Sequence, residues 1–86
     1  MPYIKQEDRN KFADLTKQID RVTIDTPGEL NYLFTKLAIT YMVDRGLSYQ
    51  TINDIVGALE GAKLEFYRRV AERYETDKIN VNGDVY

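Results

Sequence analysis

No cysteine, no histidine and no tryptophan occur in this chain. Without cysteine there is no disulfide and no thiolate metal site. Without histidine the commonest general base and the commonest neutral metal ligand are both missing. A surplus of one charge is missing too: 12 basic and 14 acidic side chains leave a net charge of -2. That near-balance raises no large positive field for nucleic acid and leaves no polyacidic tail. No apolar run approaches the roughly 20 residues that cross a bilayer. The opening Met1-Pro2-Tyr3-Ile4-Lys5-Gln6-Glu7-Asp8 carries no apolar stretch of the signal-peptide kind. The expectation is a cytoplasmic protein with no membrane attachment.

What is present is 86 residues, 43% of them hydrophobic, with seven tyrosines and three phenylalanines. That length makes one domain, residues 1–86. A chain this short buries roughly 60–65% of the surface its unfolded form exposes, so a lone copy has a thin core. Small domains compensate with disulfides, metals or partners. With the first excluded and the second short of ligands, association with another copy is the device that remains.

Helical periodicity dominates. After a short extended arm at Pro2–Ile4, a first helix is expected over about 6–22. Its apolar residues Phe12, Leu15, Ile19 and Val22 fall at spacings of 3, 4 and 3, which is one stripe. Glu7 and Asp8 sit near its positive N-terminal end. Thr26-Pro27-Gly28-Glu29 reads as a capping box: the Thr26 hydroxyl accepts from the Glu29 amide, and the Glu29 carboxylate reaches back to the Thr26 amide, with proline at the first helical position. The second helix then spans about 27–45, with Gly46 as a left-handed stop. Ser48 caps a third helix over about 49–74, whose stripe runs Ile52, Ile55, Val56, Leu59, Ala62, Phe66 and Val70.

The tail, 79–86, differs in kind. Ile79-Asn80-Val81-Asn82-Gly83-Asp84-Val85-Tyr86 places two β-prone triplets around Asn-Gly, the preferred pair for a type I′ hairpin turn. Strands this short are marginal alone. They need to pack on the helices, pair with the Tyr3-Ile4 arm or pair with another subunit; a frayed terminus is the alternative. The expected fold is therefore all-α: a three-helix bundle with a short β-like tail, assembled as an oligomer.

The second helix carries the case for assembly. At about 100° per residue, Leu30, Leu33, Phe34, Leu37 and Tyr41 form one apolar stripe, while Tyr32, Ile39 and Val43 form another on the opposite side, flanked by Met42. Between Leu30 and Val43 the only charge is Lys36. A helix apolar on both sides is buried on both sides, and two neighbours of a short chain are hard pressed to enclose it. The third helix, roughly 39 Å long at about 1.5 Å per residue, overhangs a compact domain of roughly 30 Å diameter. Gly57 and Gly61 lie four apart on the side away from its stripe, and each glycine there costs about 1 kcal/mol relative to alanine. A close approach of another backbone explains the pair; a bend or tolerated exposure is the alternative, since Asp54 and Arg68 share that side. The candidate interface is Tyr32, Ile39, Met42, Val43, Gly57 and Gly61, between copies of the chain in a dimer or higher assembly.

Groups that could carry chemistry are few. Glu72 and Glu75 put two carboxylates one turn apart, as all-helical magnesium hydrolases do, but such sites need a second acidic motif on a facing helix, and one pair is weak evidence. Lys63, Arg68, Arg69 and Arg73 gather late in the third helix, yet they scatter around its circumference among Glu60, Glu65, Glu72 and Glu75. A salt-bridged surface accounts for them better than phosphate contact. Ser48 and the threonines have no histidine to activate them, and there is no phosphate-binding glycine motif. No catalytic residue, metal site or cofactor is assigned.

The segments Ala62-Lys63-Leu64-Glu65-Phe66-Tyr67-Arg68-Arg69, Asn82-Gly83-Asp84-Val85-Tyr86, Met1-Pro2-Tyr3-Ile4-Lys5, Gly28-Glu29-Leu30-Asn31-Tyr32 and Leu47-Ser48-Tyr49-Gln50 resemble a family of small uncharacterised proteins encoded by bacteria, archaea and bacteriophages. The resemblance covers nearly the whole chain and implies a phage or mobile-element context and an ordered tail. It implies no activity and supplies no site residue. The leading expectation is a non-enzymatic helical oligomerisation or interaction module. A nucleic-acid-associated accessory protein and a magnesium-dependent hydrolase are the alternatives.

Overall fold

A computed structural model of the chain describes residues 4–86, which divide into two units, Met1–Leu37 and Ala38–Tyr86. A pairing of the tail with Tyr3, one of the arrangements open to it, lies outside the described residues. In the first unit, Lys5 is extended and its carbonyl accepts from the Asp8 amide at 3.0 Å. A 3-10 helix, Gln6–Phe12, follows, with Glu7 and Asp8 in its first turn, and passes directly into α1, Ala13–Arg21. The Thr16 hydroxyl donates to the Phe12 carbonyl at 2.7 Å across that junction. Seven residues is long for a 3-10 helix, and it divides what periodicity alone presents as one α-helix. The β-branched run Val22-Thr23-Ile24 ends α1, since such side chains lose rotamer freedom in a helix; Val22 is already extended.

The helix α2, Pro27–Arg45, begins where the sequence places it. The Glu29 amide donates to the Thr26 hydroxyl oxygen at 3.1 Å, and that hydroxyl donates to the Glu29 carboxylate, also at 3.1 Å. The carboxylate therefore engages the Thr26 side chain rather than the Thr26 amide. The C-terminal part of α2, from Ala38, belongs to the second unit. It stops at Gly46, whose φ of 84° and 2.8 Å hydrogen bond to the Met42 carbonyl form the left-handed cap.

Ser48, extended, caps α3, Tyr49–Phe66, by accepting from the Thr51 amide at 3.1 Å. The helical path then continues through a π turn, Tyr67–Ala71, into α4, Glu72–Asn82. The π turn is closed by the Glu72 amide donating to the Tyr67 carbonyl five residues back. The β-like tail expected over 79–86 is not there: Ile79–Asn82 is helix, and no strand occurs among the described residues. Gly83 does use its positive φ of 87°, but to end α4, donating to the Ile79 carbonyl at 2.8 Å. The same Asn-Gly signal serves a helix stop and a hairpin turn, and the 11 helical residues of α4 upstream settle the choice.

Among the described residues no hydrophobic side chain is buried, and the one buried residue is Thr51. The fold is all-α. The apolar stripes of α1, α2 and α3 all stay accessible.

Candidate functional site

Three groups of residues could act. The first lies at the turn between α2 and α3, within the second unit. The Tyr41 hydroxyl donates to Asp54 Oδ2 at 2.8 Å, Gln50 Nε2 donates to Asp54 Oδ1 at 2.7 Å, and the Arg45 guanidinium lies 5.0 Å from the Tyr41 ring centre. Donation from Tyr41, and then from Gln50, holds the Asp54 carboxyl below its ordinary range, and the same bond to Asp54 raises the Tyr41 hydroxyl. Both oxygens of Asp54 are engaged, so this is a clasp that fixes the helical turn. Sequence periodicity assigned Tyr41 only to an apolar stripe; a tyrosine and an aspartate flanking a Gly46 turn was the signal available for the clasp.

The second group is the charged cluster. Arg68 Nη2 donates to Glu65 Oε1 at 3.0 Å and Oε2 at 3.1 Å, and Arg69 Nε donates to Oε1. Arg69 above all, with Arg68 contributing, holds the Glu65 carboxyl below its ordinary range. Lys63 pairs with Glu60 at 3.5 Å. The expected one-turn pairing of Glu65 with Arg69 is present, and Arg68 joins it. Glu75 accepts from the Tyr67 hydroxyl at 3.4 Å. Among the described residues no three acidic, histidine or cysteine side chains gather to hold a metal ion.

The third group is apolar and uncovered. Tyr32, in the first unit, is 61% exposed; in the second, Ile39 is exposed, Met42 half-buried and Val43 74% exposed. The opposite stripe of α2, expected to be covered by neighbouring helices, is exposed as well: Leu30, Leu33, Phe34 and Leu37 all meet solvent. Apolar residues are spread around the whole circumference of α2, whereas α1 confines them to one face. A Cβ added at Gly57 or at Gly61 would meet nothing within 4 Å. A concavity lined by Ile4, Glu7, Asp8, Lys11 and Phe12 opens to solvent in the first unit. Sequence reasoning located the apolar residues of α2 but missed the extent of exposure on α3 and α4, because a periodic stripe does not say what covers it.

These features define a small all-α protein whose most extensive feature, among the described residues, is apolar surface left open along its helices. Over residues 1–85 the chain matches a domain of unknown function (DUF6899), and it belongs to that family. No curated protein and no solved structure matches it. Among the described residues no helix is long and apolar enough to cross a membrane.

Proposed function

We propose that the chain is a non-enzymatic module that works by self-association and by presenting helical surfaces to protein partners. The observation that carries this reading is the absence of any buried hydrophobic side chain among the described residues. Ile39 and Val43 on α2, Ile52 and Leu59 on α3 and Val81 on α4 are all exposed, and contiguous apolar surface marks interaction sites. On α2, Ile39, Met42 and Val43 are the contacts we assign to a second copy, with Tyr32 a further contact from the first unit; Gly57 and Gly61 on α3 admit close approach of another backbone.

Catalysis is disfavoured by the lack of histidine and cysteine and by the full engagement of Asp54. Nucleic-acid binding is disfavoured because Arg68 and Arg69 both serve Glu65. The cytoplasm, and a phage or mobile-element setting, complete the proposal; capture of partners from infected cells examines that setting.

Sedimentation equilibrium at tens of micromolar decides the central point. The expected result is an integral multiple of 10.0 kDa, unchanged by magnesium and by moderate salt. A monomer overturns the reading. Ile39→Glu is expected to lower the assembly state, and an unchanged mass removes α2 from the interface.

A further inference from the structure

We infer that the continuous helix formed by α3, the π turn and α4 pairs antiparallel with the same helix of a second copy, along a seam that the π turn keeps straight. The inference rests on the self-association reading and specifies its geometry. The three elements, of 18, 5 and 11 residues, run end to end from Tyr49 to Asn82, a path of roughly 50 Å at about 1.5 Å per residue. Within its own unit the other helical segment is Ala38–Arg45, roughly 12 Å long and fastened near the N-terminal end of α3 by Tyr41 and Asp54. It is too short to cover the rest.

The seam is written in the spacing. Ile52, Leu59 and Phe66 recur every seven residues, and so do Tyr74 and Val81, but Phe66 and Tyr74 are eight apart. In an unbroken α-helix the extra residue would carry Tyr74 and Val81 about 100° away from the first three. The π turn, Tyr67–Ala71, lies inside that eight-residue interval and takes up the extra residue. The hydrogen bond from Tyr67 to Glu75 reports the same adjustment: residues eight apart in a regular helix are about 80° apart around the axis, whereas seven apart they are within about 20°. All five seam residues are between 43% and 79% exposed. A heptad seam held in phase past an insertion is the mark of a helix that packs along its length against another helix.

Charge selects a second copy, and its direction. Residues 51–66 carry Asp54, Glu60 and Glu65 against Lys63, while 67–82 carry Arg68, Arg69, Arg73 and Lys78 against Glu72, Glu75 and Asp77. A parallel pair sets net acid on acid and base on base; an antiparallel pair sets them opposite. Centred on the π turn, the antiparallel register lays Phe66 against Val70 of the second copy and Ala62 against Tyr74, small against large. It also brings Arg73, which makes no ion pair among the described residues, beside Glu65 of the second copy.

Because the chain has no cysteine, single Ile55→Cys and Val81→Cys chains report orientation without background. Mixed in equal amounts and oxidised, they are expected to give the 55–81 disulfide, with little 55–55 or 81–81 product. Predominance of the two like disulfides means a parallel pair and overturns the inference. A dimeric mass with no disulfide of any kind also overturns it while leaving self-association standing; a monomeric mass removes both. Arg73→Glu is expected to weaken the dimer by up to about fivefold per contact, the scale of an exposed ion pair, and an unaltered dissociation constant rejects the register.

Discussion

Glu65 shows how far one side chain can be read. Its carboxyl, ordinarily near 4.5, is held below that value by Arg69 above all, with Arg68 contributing. A group whose folded value lies below its unfolded value stabilises the fold above the unfolded value and loses that contribution as pH falls toward the folded one. Glu65→Gln is therefore expected to lower the melting temperature at neutral pH. The difference from the parent should shrink as the pH falls below about 4.5 and be lost once the folded-state carboxyl is protonated. The Arg68 and Arg69 side chains are more than half exposed, so added salt should reduce the difference too. Carboxyl NMR titration checks the assignment directly: a Glu65 midpoint near 4.5 means the two arginines do not hold it in solution. Gly57 and Gly61 give a second residue-scale prediction. An added methyl meets nothing within 4 Å at either site, so in the isolated chain each change to alanine should add up to about 1 kcal/mol of helix stability. A fall in assembly mass in Gly57→Ala or Gly61→Ala would place another backbone on that face.

Among the elements, starts and stops were legible because their chemistry is local. Thr26, Ser48 and Gly46 act at their sites through bonds spanning three or four residues. The end of the third helix was not legible in the same way. Glu75-Thr76-Asp77 looks polar enough for a terminus, and Ile79-Asn80-Val81 looks like a strand, but a helix already nucleated extends more easily than a lone strand forms. The π turn was hidden for another reason: a wheel drawn at a constant angle accepts Val70 and never asks about Tyr74. A deletion tests the role given to that turn. Removing Arg68 is expected to convert Tyr67–Ala71 to α-helix and to leave Phe66, Tyr74 and Val81 in phase, so helicity and assembly mass persist. Removing Ala58 takes the same number of atoms of backbone from a regular stretch, turns Ile52 about 100° out of line, and is expected to abolish assembly while circular dichroism still reports helix. Equal behaviour of the two deletions would strip the π turn of its role in the seam.

At the scale of the whole molecule the lesson is what periodicity omits. The wheel identified both apolar sides of α2, and it assigned one of them to intramolecular neighbours; in the structure Leu37 is as open as Ile39. A stripe states that a surface is to be covered, and only a length or volume argument states by what. With no hydrophobic side chain buried among the described residues, the helices have little beyond local bonds to hold them, and helices of modest length are marginal on that basis. Folding should therefore be coupled to association. The melting temperature is expected to rise with protein concentration, since the partner subunit acts as a ligand of the folded state, and helicity should fall on dilution below the dissociation constant. Circular dichroism in a dilution series reads both effects. A helical signal and a melting temperature that hold constant from high to very low concentration would mean that a lone chain keeps its helices with its leucines and isoleucines in water, and the uncovered surface would then have to serve a partner of another kind.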